Sequence, residues 1–186
     1  METVERLITA EEFLAREDRV QPREELIDGR IVLSQPDLPH QTVAGRLHLA
    51  LGNWMEEAPG RGVVWLPIDI VIDDRNVLVP DLAWVSEEKV PPPATRLLPV
   101  SPDLVVEVRS PSTWHRDIGV KRDLYARHGV RELWLVDGMA ASVIVCRLHA
   151  AELGILGELG PGEALESPLL PGFTLTLEAL FAARRA

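Results

Sequence analysis

The chain has 186 residues, 46% of them hydrophobic, with a formal net charge of −10 and a sequence pI near 5.0. This length and apolar content fit one domain with a real core, residues 1–186, and the acidic balance excludes a generic nucleic-acid coat protein, which is basic overall. Cys146 is the only cysteine, so there is no internal disulfide; the first residues lack a signal-peptide layout, no uncharged apolar run approaches the ~18 residues of a membrane span, and the expectation is a cytoplasmic protein with no membrane partner.

Thr9-Ala-Glu-Glu12 has capping-box spacing and predicts a short helix over 10–17. Glu25 to Leu33 reads as a hairpin turning at Asp28-Gly29, a pair that favours the type I′ turn. Val43, Leu47, Leu51 and Trp54 recur at helical spacing and predict a core-packed helix over 40–57, ended by Pro59-Gly60. Strands are expected at 63–66, 68–72 and 82–86, with Asp73 to Asn76 as a polar turn and Asp69 on a half-exposed strand face. Residues 87–102 carry prolines at 91, 92, 93, 99 and 102 and form a loop of a length that is often functional. Because it joins two strands that bear acidic candidates, the loop is expected to border the site, with Lys89 and Arg96 within reach of substrate. A strand at 103–108 and a helix from about 113 to 128 follow, the helix ending at Gly129. Strands at 131–136 and 142–148 are joined through Asp137-Gly138, the Gly- and Pro-rich stretch 151–172 is expected to form irregular hairpins, and a helix over 177–185 closes the chain. The tryptophans are scattered at core spacing and form no base-stacking platform. The order is mixed α/β, with strands of both orientations in one sheet.

The chemistry concentrates in Asp103-Leu-Val-Val-Glu107-Val-Arg109-Ser110. Glu107 interrupts an apolar run that otherwise reads as a buried strand, and a carboxylate there costs several kcal/mol unless a metal, a cation or a shifted pKa compensates it. Asp81 follows Pro80 at the start of a strand, where loops and ligands meet. At 100° per residue Trp114, Ile118, Lys121 and Tyr125 share one helical stripe. Three of the four are large and apolar or aromatic, so the stripe faces the sheet and carries Lys121 inward towards Glu107. Two hard oxygen ligands suit Mg²⁺, with Mn²⁺ as an alternative, and a lysine beside them suggests metal-assisted phosphodiester hydrolysis. Residues 101–131 hold six basic side chains (Arg109, Arg116, Lys121, Arg122, Arg127 and Arg131) against four acids, a locally positive stretch in an acidic chain. Such a patch can meet a phosphate backbone.

Glu25-Leu-Ile-Asp-Gly29, Val79-Pro-Asp81, Pro102 to Ser112, Asp117 to Lys121, Gly129 to Asp137 and Leu170-Pro-Gly-Phe173 together resemble the Uma-type putative restriction endonucleases of the PD-(D/E)XK nuclease superfamily, over about residues 8–182. The resemblance implies a restriction-endonuclease-like fold, a central mixed β-sheet flanked by helices, and a magnesium-dependent endonuclease acting on nucleic acid, DNA foremost. By position it implies Asp81 and Glu107 as metal ligands and the backbone carbonyl of Val108 as a third. Glu25 matches an early acid of the family and His40 a histidine that contacts phosphate or orients water. Arg109, Ser110 and Arg116 complete the expected substrate-binding set. Arg109 stands where the superfamily pattern has a lysine, and an arginine stays protonated and cannot act as a base. The resemblance transfers that role to Lys121.

Two other readings fit parts of the pattern. A nuclease fold that kept binding and lost turnover is separated by assaying metal-dependent cleavage. A carboxylate-pair hydrolase such as a glycosidase fits Asp81 and Glu107 but leaves an inward Lys121 unexplained. Neither zinc-finger spacing nor a helix-turn-helix is present to read bases, and a homo-oligomer is compatible with every reading.

Overall fold

A computed structural model describes residues 6–19, 24–34, 36–95, 97–110 and 117–182, without the side chains of residues 117 and 118. The expected helix start at 113, Trp114, Arg116, Arg96 and the last residues of the terminal helix lie outside the described residues.

Thr9 caps α1 (Ala10–Leu14) by accepting from the Glu12 amide, and Glu12 returns the contact to the Thr9 amide, so the capping box forms on a helix shorter than expected. The hairpin β1 (Glu24–Ile27) to β2 (Arg30–Leu33) turns with positive φ at Asp28 (50°) and Gly29 (75°), the signature of the type I′ turn. A Cβ at Gly29 would lie 3.1 Å from the Ile8 carbonyl oxygen, so both conformation and space call for glycine there. Asp37 caps α2 (Leu38–Glu56) by accepting from the His40 amide, which fixes His40 in the first turn. β3 (Val63–Trp65), β4 (Ile70–Asp73), β5 (Asn76–Leu78) and β6 (Leu82–Val85) follow. Beyond the loop come β7 (Leu104–Val108), a single π turn (Asp117–Lys121) and α3 (Arg122–His128). Gly129, in the left-handed conformation at φ 88°, ends α3. The chain closes with β8 (Glu132–Asp137), β9 (Ser142–His149), β10 (Glu152–Leu159), β11 (Ala164–Leu165), β12 (Leu175–Thr176) and α4 (Leu177–Phe181).

The main sheet has six strands in the order β10-β9-β8-β7-β6-β3; β7 and β8 are parallel and the other pairs antiparallel. A four-stranded antiparallel sheet, β2-β1-β5-β4, stands apart from it. The fold class is therefore the mixed-sheet α/β one that the sequence predicts. One face of the main sheet packs Leu82, Trp84, Val106 and Trp134 against Val43, Leu47, Leu51 and Trp54 of α2 and against Phe173 and Leu180 near the C-terminus. Phe173 stacks on Trp134 and meets Trp54 edge-on, contacts of about 0.5–1.5 kcal/mol each beyond area burial. The other face packs Val105, Leu133, Leu135 and Cys146 against Leu124 and Tyr125 of α3 and against Ile27 and Leu78 of the smaller sheet. Strand β7 is buried on both faces, in keeping with a sequence that is apolar at every position but Glu107. Among the described residues no helix is long and apolar enough to cross a membrane.

Three expectations are corrected. The stretch after residue 150 contains an eight-residue strand, β10, paired along its length with β9, where irregular hairpins were expected. The polar turn at 73–76 is followed by an unexpected strand, β5. The proline-rich loop 87–102 does not border Asp81 and Glu107. β6 and β7 run antiparallel, so Asp81 before β6 and Glu107 late in β7 lie at one end of the pair, and the loop joins the other ends, roughly 15 Å away at ~3.3 Å per residue. Lys89 is engaged there: its Nζ bonds Asp103 Oδ1 at 2.7 Å and the Ser101 carbonyl at 3.3 Å, tying the loop to the root of β7. Asp69 is likewise engaged, in a two-pronged pair with Arg19 at 2.6 and 3.0 Å.

Candidate active site

Both layers and the smaller sheet contribute side chains to the end of the sheet where β7 stops. Extending the β6–β7 register by one residue from Leu82–Val106 sets Asp81 beside Glu107, neighbours across an antiparallel pair. The Asp81 amide donates to the Val106 carbonyl at 3.1 Å, and Asp81 Oδ2 accepts from the Val108 amide at 2.7 Å. The aspartate is thus held to the backbone on either side of Glu107. From α2, His40 Nε2 lies 3.0 Å from the same Oδ2. From the smaller sheet, Glu25 Oε1 accepts from the Val79 amide at 2.8 Å, which joins that sheet to the Pro80-Asp81 segment.

Lys121 closes the π turn, and Tyr125 lies one turn further on α3, on the same helical face. The inward stripe expected from the sequence is realised at these two positions. Lys121 Nζ lies 2.6 Å from Glu107 Oε1 and 3.0 Å from Glu25 Oε1, and the Tyr125 hydroxyl donates to Glu107 Oε1 at 2.6 Å. Single π turns are rare in helices and are frequent at functional sites. Asp81, Glu107, Glu25, Lys121 and His40 are each at most 5% exposed. At that burial, charges persist only when paired and hydrogen-bonded, and the close contacts just described supply part of that compensation. Burial, reinforced by the Glu107 charge, pushes the Tyr125 phenol well above its ordinary value of 10, so Tyr125 is a hydrogen-bond donor at any working pH.

Arg109, one residue past β7, reaches across to Asp137 at the end of the parallel strand β8 and pairs with its Oδ2. Burial raises the Asp137 carboxyl, but the Arg109 bond and the amides of Ala140 and Met139 hold it below its ordinary range. A small cleft beside the site is lined by His40, Val43, Val108, Arg109 and Asp137. Ser110 is buried at 1% exposure. The structure therefore brings Asp81, Glu107, Lys121, Glu25 and His40 together with the Val108 amide and places Arg109 at their margin; Arg116 lies outside the described residues. Sequence reasoning put Tyr125 on the inward stripe but gave it no role, although its i, i+4 spacing from Lys121 was the available signal. The Arg109–Asp137 pair was also missed, because it depends on the parallel register of β7 and β8.

The donor chemistry fits a hard divalent cation. Two buried carboxylates from adjacent strand ends match the one or two that Mg²⁺ takes from protein, its other positions being filled by water and substrate phosphate. Among the described residues no group of three or more His, Cys, Asp or Glu is placed to hold a metal.

The Uma2 family model, whose description is "Putative restriction endonuclease", matches residues 10–178. Among solved structures, the chain is similar to a "putative nuclease belonging to DUF820" from Anabaena variabilis ATCC 29413, with TM-score 0.80 and 20% sequence identity over 94% of this chain and 97% of that one. A search of curated proteins gave no match.

Proposed function

The chain belongs to the Uma2 family and has the restriction-endonuclease-like fold, and from this premise we propose that it is a metal-dependent endonuclease that hydrolyses phosphodiester bonds of nucleic acid, DNA foremost. The observation that carries this reading is the convergence of Asp81, Glu107 and Lys121 at one end of β6 and β7. Asp81 and Glu107 would hold Mg²⁺ or Mn²⁺, with the Val108 carbonyl as a further ligand. When bound, the ion would neutralise phosphate charge and lower the pKa of water.

The chain's own residues divide the remaining work. Lys121 presents its ammonium beside Glu107, where it stabilises charge developing on the phosphate and orients the attacking water. Glu25 also holds that ammonium, 3.0 Å from its Oε1. His40 positions Asp81 through Oδ2, a different task from the phosphate contact expected from the resemblance. Arg109, anchored by Asp137, offers its guanidinium to a phosphate flanking the cleavage point, and Ser110 and Arg116 belong to the same proposed substrate-binding stretch.

A second reading, a nuclease fold that binds without turnover, is favoured by the burial of every acid and of Lys121. Incubating purified protein with single- and double-stranded DNA and RNA in Mg²⁺, Mn²⁺ or EDTA separates the two. Internal cleavage that EDTA abolishes supports the endonuclease; binding without cleavage in any metal supports the second reading.

A further inference from the structure

Among the described strands, β10 is the outer edge of the six-stranded sheet, and from its pattern we infer that the protein pairs with a second copy of itself, β10 against β10, to make one continuous sheet. This inference is independent of the nuclease reading. Edge strands of soluble proteins are commonly blunted by charged side chains, lysine above all, by proline, by bulges or by short length, and of these β10 has two glutamates, Glu152 and Glu158, and a bulge. Glu152–Leu159 contains neither lysine nor proline, runs for eight residues, about 27 Å at ~3.4 Å per residue, and exposes Ile155 at 58% and Leu156 at 59%. A Cβ placed on Gly154 or Gly157 would meet nothing within 4 Å, so the backbone is open to close approach at both positions.

The strand does carry a bulge, between Ile155 and Gly157, and here the bulge makes the edge self-complementary. Residues directly opposite in an antiparallel pair project from the same face. In a regular strand Leu153 and Glu158, five apart, would point to opposite faces. The extra residue reverses that relation. Leu153, Ile155 and Glu158 pair with Leu148, Cys146 and Ile144, which belong to the core under α3, whereas Gly157 and Leu159 pair with Val145 and Val143 of the other face. A two-fold axis between Ile155 and Leu156 therefore sets Leu153 opposite Glu158, Gly154 opposite Gly157 and Glu152 opposite Leu159, each pair on a common face and no two carboxylates opposed. The exposed Ile155 and Leu156 of both copies gather at the axis.

A groove of about 570 Å³ between α3 and β10 is lined by two arginines, Arg122 and Arg127, and two acids, Asp123 and Glu152, beside Leu153 and Ile155. In the pairing described, Glu158 of the second copy arrives opposite Leu153 on the α3 face, beside Arg122 and Arg127. The symmetry supplies this contact twice.

Sedimentation equilibrium of the full chain tests the inference. The wild-type protein is expected at twice its 20.6 kDa mass. Glu158→Arg and the double change Arg122→Glu/Arg127→Glu should each weaken dimerisation by roughly tenfold or more, and combining the three should restore it. Leu156→Asp, at an exposed position, should give a folded monomer by circular dichroism. A wild-type mass of 20.6 kDa throughout, a dimer indifferent to Leu156→Asp, or a failure of the combined charge exchange to restore association would overturn the inference.

Discussion

Glu107 Oε1 receives both the Lys121 ammonium and the Tyr125 hydroxyl, so the orientation of this carboxylate is set by two residues one helical turn apart. Partners of metal-binding carboxylates typically contribute 10- to 100-fold in metal affinity. Tyr125→Phe is therefore predicted to weaken Mn²⁺ binding by about that factor, measured by calorimetry without substrate, while costing ~1.5–3 kcal/mol of stability from the lost hydrogen bond to a buried carboxylate. An unchanged affinity would remove Tyr125 from the account. Lys121→Met is predicted to abolish cleavage and, in metal-free buffer, to lower stability by roughly 3–5 kcal/mol, because Glu25 and Glu107 stay buried without their shared ammonium. Added divalent cation should recover part of that loss in thermal melts. A metal-free melting temperature equal to that of the wild type would show that the lysine compensates neither acid.

At the scale of elements, Asp103 is the hub at the far end of the strands from the site. Its carboxylate accepts from the Ser86 amide and hydroxyl, pairs with Lys89 at 2.7 Å and lies 3.4 Å from Arg131, so it joins the end of β6, the loop and the approach to β8. Burial pushes this carboxyl up, but the Lys89 and Ser86 bonds outweigh it and hold it below the ordinary carboxyl range. A folded-state value depressed in this way means that the stabilisation is present above the unfolded pKa and is lost as pH falls through the folded one. Asp103→Asn should therefore cost ~1–3 kcal/mol at neutral pH, with the gap to wild type closing under acid conditions below the ordinary carboxyl range. A gap that stays constant down to the acid limit would contradict that linkage. The sequence made α1, the first hairpin, α2 and the inward face at Lys121 legible, because each is specified by nearby residues: a capping box, a turn dipeptide, a helical period. β10 was not legible, because Gly154 and Gly157 weaken its local strand signal and its order comes from pairing with β9. The hub role of Asp103 and the Arg109–Asp137 pair were hidden for a related reason, since both depend on which strands become neighbours.

For the whole molecule, the antiparallel β6–β7 pair separates two ends with different work: the acids gather at one, and the proline-rich loop is tied down at the other. Replacing 91–95 with a short glycine linker, which spares the buried Leu98, should leave kcat/KM for cleavage unchanged; a large loss would return the loop to the site. Nucleic-acid binding should be local, because the chain is acidic overall while 101–131 is net positive. The slope of log affinity against log salt should accordingly be shallow, and a steep slope would require a broader phosphate footprint. In the proposed mechanism Asp81 and Glu107 share one divalent cation. Calorimetric titration of Mn²⁺ into the wild type, Asp81→Ala and Glu107→Ala tests it directly: one site in the wild type, lost in each variant while both remain folded, is the predicted result, and Mn²⁺ affinity retained in both variants would contradict it.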